Sequence, residues 1–132
     1  MATLVFCEDD PMIQKLIRVM LRSSAHTVHM APDGQTGLAL IEQVRPDLIF
    51  TDVSMPGLDG LELCDALKSR PHLACIPVVL VTASVQRTQI EEGYGHGVVD
   101  YLSKPLSPGE LRARIDRLVA QYVAVESEAD LR

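Results

Sequence analysis

The sequence predicts an α/β fold in which a five-stranded parallel sheet is doubly wound, with five helices covering its two faces. Three observations predict it. Short apolar runs alternate five times with segments whose apolar residues recur at helical spacing. Several runs, such as Ile76-Pro77-Val78-Val79-Leu80-Val81, are apolar at successive positions, as strands buried on both faces are. Cap and stop residues fall between the segments: Asp10-Pro11, Pro32-Asp33-Gly34, Pro46, and Gly95 with Gly97.

Taken in order, Thr3–Glu8 is the first expected strand. Asp10 caps the next helix with Pro11 at its first position, where a missing N–H costs nothing. Ile13, Leu16, Ile17, Met20 and Leu21 mark its inward face. Thr27–Ala31 is a short second strand. The turn at Pro32-Asp33-Gly34 leads into a helix running to about Val44, with Leu38 and Ile41 inward, and Pro46 stops it. Asp47–Asp52 is the third strand. Asp59 starts a third helix with Leu63, Cys64 and Leu67 inward. Pro77–Thr82, rich in Val, is the fourth strand and central. Gln86–Tyr94 is a weak fourth helix. Gly93, Gly95 and Gly97 crowd its end, and each glycine inside a helix costs roughly 1 kcal/mol relative to Ala, so this stretch is expected to be loosely held. Val98–Leu102 is the fifth strand. Ser107 or Pro108 begins a last helix with Leu111, Ile115, Leu118, Val119 and Tyr122 on one face. Right-handed crossovers leave few topologies for this order.

At 132 residues, 47% apolar and 23% charged, the chain fits one domain whose core needs no disulfide or structural metal. The domain is expected over residues 1–122, with 123–132 a polar tail or the start of a linker. The apolar runs are far too short to span a bilayer. The N-terminus enters a strand directly, without a basic region or cleavage site, so no signal peptide is expected and the location is expected to be cytoplasmic. Cys7, Cys64 and Cys75 match neither a zinc pattern nor a disulfide framework and read as free, buried thiols. His26, His29, His72 and His96 are scattered and read as surface residues. The net charge of −6 argues against direct binding of nucleic acid or of an anionic membrane.

In open parallel sheets, ligands bind beyond the carboxyl ends of the strands, near the switch in strand order. Glu8 and Asp9 follow the first strand, Asp52 ends the third, Thr82 ends the fourth, and Lys104 follows the fifth. Three carboxylates, a hydroxyl and an ammonium thus converge on one edge. Clustered carboxylates repel one another when partly desolvated, and a hard divalent cation such as Mg²⁺ relieves that repulsion. An acid cluster beside a lysine and a threonine is also suited to phosphoryl transfer, with Asp52 on a central strand as the nucleophile.

These residues sit in four motifs: Glu8-Asp9-Asp10-Pro11, Thr51-Asp52-Val53-Ser54-Met55-Pro56-Gly57-Leu58-Asp59-Gly60, Val81-Thr82-Ala83, and Asp100-Tyr101-Leu102-Ser103-Lys104-Pro105. In this order and spacing the chain, over about residues 3 to 122, resembles the receiver domain of two-component response regulators. The resemblance implies a flavodoxin-like sheet of strand order 2-1-3-4-5. It implies Asp52 as phosphoacceptor and Thr82 and Lys104 as phosphoryl-binding residues. Mg²⁺, with Mn²⁺ as a substitute, would be bound by Asp9 and Asp52, by Glu8 through water, and by the backbone carbonyl of Ser54. Thr82 and Tyr101 would act as the switch pair, and Lys104-Pro105 would be joined by a cis peptide. Ser54 and Ser84 would flank the path of the attacking water and tune the phosphoryl lifetime; both are small, so ready dephosphorylation is expected. Glu8 stands where the family often has Asp, and Gly97-Val98 replaces its common Gly-Ala.

A sensor histidine kinase or a histidine phosphotransfer protein would be the donor. The output would be a changed surface on helix four, strand five and helix five, read by a downstream protein target, by an output domain absent from this chain, or by a second copy in a homodimer. Such a domain catalyses only its own phosphorylation and dephosphorylation. Only 28 residues follow Lys104, too few for a helix-turn-helix domain, which fits a stand-alone receiver or part of a longer regulator. Two other readings stand beside this one. A phosphorylation-independent scaffold would share the fold. A haloacid-dehalogenase-like phosphatase would share the Asp nucleophile but needs a second Asp two residues on, where this chain has Ser54.

Overall fold

The structure, a computed structural model, describes residues 1–83 and 95–123. Five strands form one parallel sheet: β1 (Thr3–Cys7), β2 (Thr27–Ala31), β3 (Leu48–Asp52), β4 (Val78–Thr82) and β5 (Val98–Ser103). Their order is β2-β1-β3-β4-β5, as expected. Four α-helices lie among the described residues: α1 (Pro11–Met20), α2 (Gly34–Val44), α3 (Gly60–Lys68) and α4 (Pro108–Leu118). The expected helix over Gln86–Tyr94, Ser84 and the tail beyond residue 123 lie outside the described residues, so α4 is the fifth helix of the expected order.

Strand alternation builds two cores. On one face, Leu4, Phe6, Leu48, Phe50, Val79 and Val81 meet Ile17, Met20 and Leu21 from the α1 region and Leu111, Ile115 and Leu118 of α4. The rings of Phe6 and Phe50 stack across β1 and β3 with centroids 4.7 Å apart. On the other face, Val5, Cys7, Ile49, Val78 and Leu80 meet Ile41 of α2 and Leu63, Cys64 and Leu67 of α3. Every residue of β3 is buried, because helices cover both of its faces.

Each described α-helix starts at a side-chain cap. Asp10, Asp33, Asp59 and Ser107 accept backbone N–H bonds from Met12, Thr36, Glu62 and Glu110. Such caps stabilise a helix by about 1 kcal/mol each. Asp59 forms a full capping box, since its own N–H donates to Glu62 Oε1 at 3.1 Å. Asp33 was legible only as a turn residue; its capping role depends on the helix starting at Gly34. The last helix does not stop at Leu118 but widens into a π-helical turn over Val119–Val123, which keeps Val119 and Tyr122 packed on the core.

Two expectations are corrected. Leu16 does not face inward: it is 43% exposed, and Ile13 is half-buried. The contact face of α1 is narrower than the periodicity implies, because it is set by Ile17, Met20 and Leu21 against α4 and the sheet. Cys7 and Cys64 are buried free thiols, and burial pushes both up to about 12, but Cys75 is exposed. It lies on the surface segment that leads from α3 into β4.

Candidate functional site

Parallel pairing aligns the strand ends that matter. Cys7 is opposite Thr51, Asp52 opposite Val81, and Thr82 opposite Ser103. Glu8, Asp52, Thr82 and Lys104 therefore emerge along one edge. The chain steps outward from β1 to β2 and then crosses back past β1 to β3, so the order switches between β1 and β3. Glu8 and Asp9 stand on one side of that crevice and Asp52 on the other. Glycine is needed at position 60 for this geometry. A Cβ there would overlap the Asp52 carbonyl oxygen and stand 3.0 Å from Val53 Cα. The start of α3 thus packs directly on the backbone that carries Asp52, and the Gly60 N–H donates to the Val53 carbonyl at 2.9 Å.

The carboxylates of Glu8, Asp9 and Asp52 each offer an oxygen within 4.8 Å of the others. Glu8 is 3% exposed and Asp52 is 9% exposed, whereas Asp9 is open to solvent. The Lys104 ammonium lies 2.6 Å from Asp52 Oδ2 and 2.7 Å from Glu8 Oε1. The second Glu8 oxygen accepts the Asp10 N–H at 3.1 Å. Asp52 Oδ1 accepts the Ser54 N–H at 3.3 Å. Lys104 is itself placed by the sheet, since its N–H donates to the Thr82 carbonyl at 2.9 Å and extends the β4–β5 ladder by one residue. The Lys104–Pro105 peptide is cis.

Burial raises the Glu8 carboxyl above its usual range, against the Lys104 and Asp10 bonds that lower it. Burial also acts to lower the Lys104 ammonium, but its bonds to Asp52 and Glu8 outweigh burial and raise it. The ammonium is therefore charged throughout the physiological range and acts as the internal counter-ion of the cluster. Hard carboxylate oxygens, an exposed Asp9 and an excess of negative charge over the single lysine suit an oxygen-loving divalent cation.

All five edge residues singled out from the sequence (Glu8, Asp9, Asp52, Thr82 and Lys104) lie at these strand ends, with Glu8, Asp9, Asp52 and Lys104 in one cluster. Ser54 is exposed beside Asp52. Tyr101 is half-buried on β5 against the core shared with α2 and α3. What the sequence hid is the contact between Lys104 and Glu8, which joins residues 96 positions apart through the aligned sheet. The sequence also hid the role of Asp100, whose carboxylate bonds Arg114 and Arg117 of α4 at 2.9 Å each.

The response regulator receiver domain family matches residues 4–116, and the chain belongs to it. Among curated relatives, it is 36% identical over 119 residues to the DNA-binding dual master transcriptional regulator RpaA of Synechocystis sp., covering 90% of this chain and 49% of that protein. The chain spans about half the length of several of the curated relatives it matches. Among solved structures, it is 27% identical to the chemotaxis protein CheY4 of Vibrio cholerae, with a TM-score of 0.85 over 89% of this chain and 98% of that one. It is 28% identical to the receiver domain of sensor histidine kinase PA1611 of Pseudomonas aeruginosa, with a TM-score of 0.82 over 90% of this chain and 98% of that one. That structure holds a magnesium ion coordinated in its active site cleft.

Lys104→Met leaves the buried Glu8 and Asp52 carboxylates without their cation. The expected loss at pH 7 is roughly 3 kcal/mol, the order found when one partner of a buried pair is removed. With the lysine gone, the Glu8 pKa rises further, so the variant recovers stability as Glu8 takes up a proton. The gap to wild type should therefore narrow as pH falls from 7 towards 5. Urea unfolding at several pH values checks this; a gap that widens in acid would contradict it.

Proposed function

We propose that this domain, over residues 1–122, receives a phosphoryl group on Asp52 and uses it to change its protein contacts. The observation that carries the proposal is the Lys104 ammonium, held at 2.6 Å from a nearly buried Asp52 within a cluster of three carboxylates. In the proposed reaction an Asp52 carboxylate oxygen attacks the phosphorus of a phosphohistidine. The O–P bond forms, the P–N bond breaks, and the donor imidazole leaves with the bonding electron pair. Asp9, Asp52, Glu8 through water, and the Ser54 carbonyl would hold Mg²⁺, or Mn²⁺ in its place. The cation would neutralise charge on the phosphoryl oxygens. Lys104 shifts from the Asp52 carboxylate to a phosphoryl oxygen, and the Thr82 hydroxyl donates to another. Tyr101, on the neighbouring strand, follows Thr82. Water later hydrolyses the acyl phosphate, and exposed Ser54 leaves that approach open.

The donor would be a sensor histidine kinase or a histidine phosphotransfer protein, acting in the cytoplasm. The α1 surface supports a docking place for it. Met12, Leu16 and Val19 are 76%, 43% and 47% exposed at positions i, i+4 and i+7, which makes one apolar stripe. The stripe runs into an apolar cavity of about 360 Å³ bounded by Ile13, Leu16, Ala83, Pro105, Leu106 and Lys104 itself. Exposed Lys15, Arg18 and Arg22 flank it. These features fit a helix that bears the donor histidine and carries an apolar stripe with an acidic border. The output would follow on β5, α4 and the segment before them, towards a separate target, a second copy or an attached output domain.

Incubation with acetyl phosphate and Mg²⁺ should give one phosphoryl adduct by intact mass, absent from Asp52→Asn and from a chelator control. An adduct that persists in Asp52→Asn would refute Asp52 as acceptor. On the same assay Ser54→Arg should lengthen the adduct half-life by shielding it; a shorter half-life would oppose the open-approach reading. Leu16→Glu should leave phosphorylation by acetyl phosphate unchanged while slowing transfer from a phosphorylated histidine donor by about tenfold, or about 1.4 kcal/mol of docking energy. Equal rates from the protein donor would remove α1 from the docking surface.

A further inference from the structure

Glu8 lies one residue past the end of β1, and its carbonyl belongs to the planar peptide that carries the nitrogen and Cα of Asp9. That carbonyl accepts a 2.6 Å hydrogen bond from Nε2 of Gln14, in the second turn of α1. Only the –NH₂ end of the amide can make this bond, since a carbonyl oxygen donates nothing. The Gln14 backbone N–H also donates to the Asp10 carbonyl at 3.0 Å, as the first helical bond past the cap. The Met12 N–H donates to Asp10 Oδ1 at 2.9 Å, and the Asp10 N–H to Glu8 Oε2 at 3.1 Å. The segment from Glu8 to Gln14 is thereby closed into a loop with Asp9 inside it. The other bonds fix the helix start and the Glu8 carboxylate. Among the described residues, the Gln14 amide is the side chain that bonds the Glu8–Asp9 peptide, and so bears on the plane of that peptide and on the direction in which the exposed Asp9 side chain leaves the backbone.

We infer that Gln14 is a positioning residue for the acidic cluster: its amide holds Asp9 in register with Glu8 and Asp52 for a divalent cation. The inference rests on the proposed metal role of that cluster. Among the described residues Gln14 bonds the Glu8 and Asp10 carbonyls and not Asp52, so its loss should weaken cation binding and leave the chemistry of the loaded site intact.

Isothermal calorimetry with Mg²⁺ tests this on wild type, Gln14→Met, Gln14→Asn and a control, Ile115→Val. Met keeps the length and helix propensity of Gln without the donor. Asn keeps the donor but is one methylene too short to reach. Ile115→Val loosens the core beneath α4, away from the cluster. Both Gln14 variants should bind Mg²⁺ roughly tenfold more weakly, the effect expected when a residue that orients a ligand is lost. Their phosphorylation rate at saturating Mg²⁺ should stay within about twofold of wild type, a split that general destabilisation does not produce. Ile115→Val should bind Mg²⁺ like wild type. Wild-type affinity in both Gln14 variants would overturn the inference and leave the metal reading standing. Equal weakening in Ile115→Val would assign the effect to stability and overturn it as well. No Mg²⁺ binding by wild type would overturn the metal reading and the inference together.

Discussion

The Lys104 ammonium, shared between Asp52 and Glu8 at 2.6 and 2.7 Å, is the interaction on which the functional edge depends. Three carboxylates this close, two of them nearly out of water, do not stay together without a cation. Lysine supplies a tethered one, and the β4–β5 ladder sets where it stands. The arrangement also leaves a net negative site, because a single ammonium answers three acids. The residual charge suits a hard divalent cation, which would leave the lysine available for a further anion.

That edge is only as exact as the sheet beneath it. β1 and β3 lie side by side with both faces covered, and the stacked rings of Phe6 and Phe50 lock their register two residues before the acids Glu8 and Asp52. Across the sheet, Cys7, Ile49 and Leu80 pack on α2 and α3, so the backbone carrying Asp52 is held from both sides. The close approach of Gly60 to the Asp52 carbonyl belongs to the same design, since the start of α3 could not reach the strand end over a side chain. Packing energy spread over two cores is thus converted into the placement of a few polar atoms.

α1 serves two surfaces at once. Its inner side, Ile17 and Met20, joins the core with α4, and Gln14 in its second turn closes the loop that bears Asp9. Its outer side leaves Met12, Leu16 and Val19 in water beside the cavity that begins at Lys104. Apolar exposure grouped on one helix costs solubility unless a partner covers it. Its continuity with the acid edge links the surface a donor would touch to the residue that would receive its phosphoryl group. The asymmetry of α1 is electrostatic as well, with cations along the outer stripe and carboxylates at its N-terminal end.

The fold class, the strand order implied by the resemblance, and the identity of the edge residues were all legible in the sequence. Strand and helix periods, caps such as Asp10 and Asp59, and the position of acids at strand ends are local properties, set by residues within a few positions of one another. The long-range partners were not legible. That Glu8 would bond Lys104, that Gly60 would press on the Asp52 carbonyl, and that Gln14 would turn back to the Glu8 carbonyl depend on distances fixed only when the sheet aligns and the helices dock. Leu16 makes the same point in reverse. Its spacing matched the buried face of α1, and it stands in solvent because the core contacts of that helix run through Ile13, Ile17, Met20 and Leu21, a narrower stripe than periodicity alone implies. The sequence by itself determined which residues reach the edge. The tertiary structure decided which atoms meet there, because hydrogen bonds and ion pairs form over about 3 Å while periodicity specifies only a face.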